Sequence, residues 1–124
     1  MSNTGGTYTI NSSAGGGGGG TVSSGSFTAT PGSASTLEGY TYGTSELVFE
    51  YTVFVKNGSN YQTQKLLVMR DGTTFTSTQY AVMYSNTLLV QLEAIYGVNS
   101  IELRATPESG VTGNTTFRVK REVT

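Results

Sequence analysis

The sequence predicts an all-β fold: an antiparallel β-sandwich, jelly-roll or Ig-like, with an extended Gly/Ser-rich N-terminal arm. Three observations predict it. Ser and Thr occupy 35 of the 124 positions and Gly another 17. Gly and Ser are poor in helix interiors, whereas Thr, Tyr and Val favour strands. Apolar residues recur at period two, and no window sustains a helical period. Turn residues then separate these runs at short, regular intervals, as in sandwiches and barrels.

Residues 1–40 read as an arm. They hold the glycine tract Gly15 to Gly20 and few large apolar groups: Tyr8, Ile10, Val22, Phe27, Leu37 and Tyr40. Such a segment cannot offset its own ordering entropy. It is either a flexible leader or an arm that orders against a neighbouring subunit. Thr7 to Ile10 and Ser26 to Ala29 alternate small polar with apolar residues, so each can add a strand to a sheet edge. Tyr8, Ile10 and Phe27 are the expected anchors.

Residues 41–124 read as the sandwich body. Leu47, Phe49, Tyr51, Val53 and Val55 fall on one face of a strand, with Phe54 on the other. Asn57-Gly58 is a hairpin signal. The return strand runs from Tyr61 to Arg70, and Asp71-Gly72 closes it. Four further strands are expected: Thr78 to Tyr84 (Tyr80, Val82 and Tyr84 on one face), Thr87 to Glu93, Ser100 to Thr106, and Thr115 to Val123. Both prolines, Pro31 and Pro107, fall outside the strong patterns. Phe54 on the second face is either a scattered surface aromatic or part of an interface. Arg118 and Lys120 share a face opposite Phe117 and Val119, and that face can meet an acidic protein surface or simply be solvated.

Composition excludes much chemistry. The chain has no His and no Cys, so triad-type catalysis, common zinc sites and disulfides are ruled out. The net charge of −1 gives no basic field for nucleic acid. The apolar run Leu66 to Met69, like every other in the chain, is far short of a membrane span. The N-terminus lacks the features of a secretory signal. The glycine tract lacks the Gly-Lys-Ser/Thr of a P-loop, and no two carboxylates are paired for glycoside hydrolysis. No enzyme activity, metal or cofactor is expected. Of the eight tyrosines, those near strand ends offer rigid amphipathic contact area, either as caps on the core or as ligand contacts.

Two stretches carry a resemblance. One is Glu50-Tyr-Thr-Val-Phe-Val-Lys-Asn-Gly-Ser59 with Tyr61-Gln-Thr-Gln-Lys-Leu-Leu-Val-Met-Arg-Asp-Gly-Thr73. The other is Ile101-Glu-Leu-Arg-Ala-Thr-Pro107 followed by Thr116-Phe-Arg-Val-Lys-Arg121. Residues 45–124 thus resemble a small all-β structural module of virion proteins of tailed bacteriophages, of marine and cyanobacterial type. The resemblance brings no catalytic residues. It implies a virion protein made in the host cytoplasm, and first of all a capsid decoration or cement subunit. Its expected partners are the major capsid protein or other virion proteins, and itself in a homo-oligomer such as a trimer. The alternative is a fibre- or knob-type module that binds cell-surface glycans through tyrosine-rich loops around Tyr80 to Tyr84 and Tyr96. Neither nucleic acid nor membrane is an expected partner.

Overall fold

In a computed structural model, which describes residues 20–124, the period-two segments become eight strands. They are β1 (Thr21–Ala29), β2 (Ser35–Thr41), β3 (Val48–Asn57), β4 (Asn60–Asp71), β5 (Thr74–Tyr84), β6 (Val90–Gly97), β7 (Ser100–Pro107) and β8 (Gly113–Val123). A five-stranded sheet has the order β1-β8-β3-β4-β5, and a three-stranded sheet β2-β7-β6 packs on it. Every pairing is antiparallel. The sandwich expected from composition and alternation is the one observed.

The alternation in β3 sets the core. Phe49, Tyr51, Val53 and Val55 are buried and face inwards. Leu66 and Val68 of β4 and Val119 of β8 extend the same layer, against Leu37, Leu92, Ile101, Leu103 and Ala105 of the smaller sheet. The turns follow their residues. Gly58 and Gly72 are the first central residues of the two-residue turns after Asn57 and Asp71, with φ of 61° and 63°. A residue with a Cβ is strained at that φ. Asn57 itself flanks its turn and donates through Nδ2 to Thr112 O (2.9 Å) and Thr115 Oγ1 (2.8 Å).

Four expectations are corrected. The boundary at residues 40/41 is not a structural one, because β1 and β2 belong to the two sheets. β1 pairs with β8 over its whole length. It gains from that partner the burial its own sequence lacks. Phe27 is not a free anchor, since it packs on Phe117 with ring centroids 6.2 Å apart. Gly25 leaves room beside it: a Cβ there would lie 2.9 Å from Phe117 Cζ, so a larger residue must displace that ring. Tyr8 and Ile10 lie outside the described residues.

Tyr80, Val82 and Tyr84 do not share a face. Ala81, at φ 55°, sits in a bulge opposite Gln64, where the pairing passes from Lys65–Tyr80 to Thr63–Met83. The extra residue shifts the alternation, so Met83 joins Tyr80 on the outer face. The sixth strand also starts later than expected, at Val90. Residues 85–89 cross from one sheet to the other, and Leu89 is held inside that crossing.

Candidate functional site

At one end of the sandwich the aromatics form a ladder. Tyr96, near the end of β6, stacks on Phe75 at the start of β5, with centroids 4.1 Å apart and planes 9° apart. Phe75 meets the Tyr42 ring edge-on at 6.1 Å, and Tyr42 leans on Phe49 at 5.8 Å. Tyr40 also meets Phe49, edge-on at 6.2 Å. The ladder therefore runs from exposed Tyr96 into the core at Phe49. An open cleft of about 500 Å³ lies against Tyr42, Thr73, Phe75, Tyr96 and the Val98–Asn99 turn. A second, of about 360 Å³, lies between Tyr40, Tyr96 and Glu102. Tyr96 divides the two.

Arg70 fixes the wall of the cleft. Its guanidinium lies 4.5 Å over the Tyr42 ring. Nε donates to Glu46 O (3.0 Å), Nη1 to Gly72 O (2.8 Å) and Nη2 to Thr44 O (2.7 Å). This buried cation is balanced by carbonyl dipoles and a ring face. The β2–β3 loop and the β4–β5 turn are thereby tied to one planar fork. A lysine cannot reproduce that fork. Arg70→Lys is expected to lower stability by about 1–3 kcal/mol in urea unfolding. It should also raise amide exchange across residues 43–46. Unchanged exchange there would mean that the loop holds itself.

Beside this clamp, Glu46 accepts from the Gly43 N–H and the Tyr40 hydroxyl, both at 2.7 Å. The two donors, Gly43 first, hold the Glu46 carboxyl below its ordinary value. Burial, and then the bond to Glu46, push the Tyr40 phenol up. Deeper in, Arg121 of β8 pairs with Glu38 of β2 and lies 3.8 Å over the Tyr40 ring. Burial holds the Glu38 carboxyl above its ordinary value, and Arg121 only partly offsets this. Glu38 Oε1, Arg121 Nε and the Tyr51 hydroxyl are buried without hydrogen-bond partners among the described residues. Among the described residues, no three acidic side chains gather where they could hold a metal ion.

The second candidate surface is the outer face of the five-stranded sheet. The pairing sets Phe54 opposite Arg118, with Lys120 one step along opposite Thr52. The three residues singled out from the sequence are therefore neighbours, and all are exposed. Phe54, 40% exposed, stacks on Tyr61 at 6.3 Å. Tyr80 of β5 reaches over β4 to bond Glu50. Tyr80 to Tyr84 lie in a strand rather than a loop, and they do not approach the cleft. Sequence reasoning named Tyr96 but missed Phe75 and Arg70. Phe75 had a signal, standing three residues after the turn glycine Gly72. Arg70 had none.

No protein-family model matches the chain, and no curated protein matches it. Among solved structures, the fold is similar to part of the tailspike protein of the Acinetobacter phage vB_ApiP_P1. The TM-score is 0.56 and the identity 17%, over 82% of this chain. The chain spans 22% of the length of that protein. At this identity the likeness is one of fold. A β-module of this kind thus occurs in a phage appendage protein, the class of particle to which the strand and turn pattern of residues 45–124 pointed.

Proposed function

We propose that the protein is a non-catalytic β-sandwich module of a phage tail spike or fibre, and that it binds surface glycans of the host through the Tyr42–Phe75–Tyr96 cleft. The observation that carries the binding reading is the exposed, stacked ring of Tyr96 between two open clefts. A rigid aromatic platform matches the apolar face of a sugar ring. Thr73 and Asn99, which also line the cleft, supply polar groups for its hydroxyls. The virion setting is supported by the tailspike likeness and by the sequence resemblance. Capsid decoration is the weaker reading, because it relied on residues 1–40 as a free arm, and 21–29 and 35–40 of them lie in β1 and β2.

Binding to an array of bacterial capsular and lipopolysaccharide glycans tests the proposal. Wild type should bind a subset, and Tyr96→Ala should bind about tenfold more weakly. The ring lies outside the buried core, so the variant should fold. Equal binding by both would remove the cleft from the proposal, and no binding by wild type would remove the glycan. Copy number per virion tests the setting. A handful to a few dozen copies fits a spike or fibre, whereas hundreds would restore the decoration reading.

A further inference from the structure

Among the described residues, β5 is an edge strand without the usual protection. A free edge presents a row of unpaired N–H and C=O groups, which proteins normally blunt with charge, proline or a cover. No charged residue lies between Asp71 and Glu93, and β5 contains no proline or glycine. Only Phe75 of the eleven residues is even half-buried. Tyr80, Val82, Met83 and Tyr84 leave large apolar groups exposed on it. The smaller sheet is better guarded. β6 carries exposed Glu93, and its Leu92 carbonyl accepts from Gln79 Nε2 at 2.7 Å. β2 is broken by a register shift between Thr36 and Glu38. The fourth edge, β1, is uncharged too, but its large side chains, Val22 and Phe27, are half-buried.

We propose that β5 is an interface to a second copy of this chain, pairing antiparallel with its own symmetry mate about a two-fold at Ser77. The position follows from the bulge. Ala81 ends the regular ladder, so the straight part of the edge is Thr74 to Tyr80. Ser77 is its midpoint, and a two-fold there pairs all seven residues. Thr76 then faces Thr78 of the mate on the outer side, a favourable cross-strand pair. Phe75 faces Gln79, and Thr74 faces Tyr80. An uncharged strand meets itself without like charges opposed. Such an isologous contact closes on itself, so it gives a dimer and not a fibre. The inference is independent of the glycan reading.

Sedimentation and cross-linking of the full chain test it. Wild type should dimerise. Ser77→Lys sets two ammonium groups directly opposite one another and should weaken the dimer about tenfold or more. Ser26→Lys, on the β1 edge, should leave it unchanged. Ser77→Cys, in a chain without native cysteine, should give a covalent dimer on mild oxidation. Thr76→Cys should not, because in this register its own copy lies about 8 Å away, beyond disulfide reach. A monomeric wild type would overturn the proposal. So would a dimer insensitive to Ser77→Lys or dissociated by Ser26→Lys, since either means another surface or the N-terminal segment makes the contact. Equal cross-linking at 76 and 77 would overturn the register.

Discussion

Gln62→Leu is expected to lower stability by about 3–5 kcal/mol, a large part of the 5–15 typical of a domain. Gln62 lies on the core face of β4 and is 1% exposed. Its Oε1 accepts from the N–H groups of Leu89 (2.8 Å) and Val90 (3.0 Å). Its Nε2 donates to Val90 O (3.1 Å) and to Gln64 Oε1 (2.8 Å). Gln64 passes the chain to Gln79 Oε1 at 2.7 Å, and Gln79 donates to Leu92 O. The relay therefore stitches the larger sheet to the entry of β6. Leucine fills similar volume but leaves two buried N–H groups and a carbonyl unpaired, each costing about 1–3 kcal/mol. Gln79→Leu, at the exposed end of the relay, should cost only about 1 kcal/mol. Urea unfolding measures both. A Gln62→Leu loss as small as that of Gln79→Leu would mean that water replaces the amide.

The second large effect is at the buried ion pair. Glu38→Ala should lower stability by about 3–5 kcal/mol, because it strands the Arg121 charge among apolar groups. Among the described residues the pair is nevertheless incompletely satisfied, with Glu38 Oε1 and Arg121 Nε lacking partners. The double variant Glu38→Leu/Arg121→Met should therefore be near wild type or more stable by a few kcal/mol. A double variant as weak as Glu38→Ala would show that the pair itself is net stabilising. Acid titration gives an independent reading. The Glu38 carboxyl titrates above 4.5 when folded. Between 4.5 and that raised value the native state holds more protons than the unfolded one. The contribution of Glu38 is then full below 4.5 and is lost as pH rises through the raised value. Glu38→Gln should remove this fall. Glu46 and Glu102, both held below 4.5, act in the other direction and lose their contribution on acidification.

The sequence by itself determined the fold class and most of the strands. In β3 and β8 the apolar positions alternate so regularly that the inward face is legible, and Phe54, Arg118 and Lys120 are legible as facing out. Asn57-Gly58 and Asp71-Gly72 announce their hairpins, because glycine relieves the strain of a positive φ. The absence of His and Cys is likewise a property of the chain alone. Only the tertiary structure decided the rest. β1 and β2 look like an arm, since a strand poor in apolar residues owes its burial to partners distant in sequence. In the sequence Arg121 is simply a further basic residue beside Arg118 and Lys120, and only the fold sets Glu38, 83 positions away, against it. The aromatic ladder draws Tyr40 and Tyr42, Phe49, Phe75 and Tyr96 from four separate parts of the chain. Period two tells a strand which way its side chains point. It carries no information about which strand will lie beside it, and that neighbour decides whether a ring is core, cleft or edge.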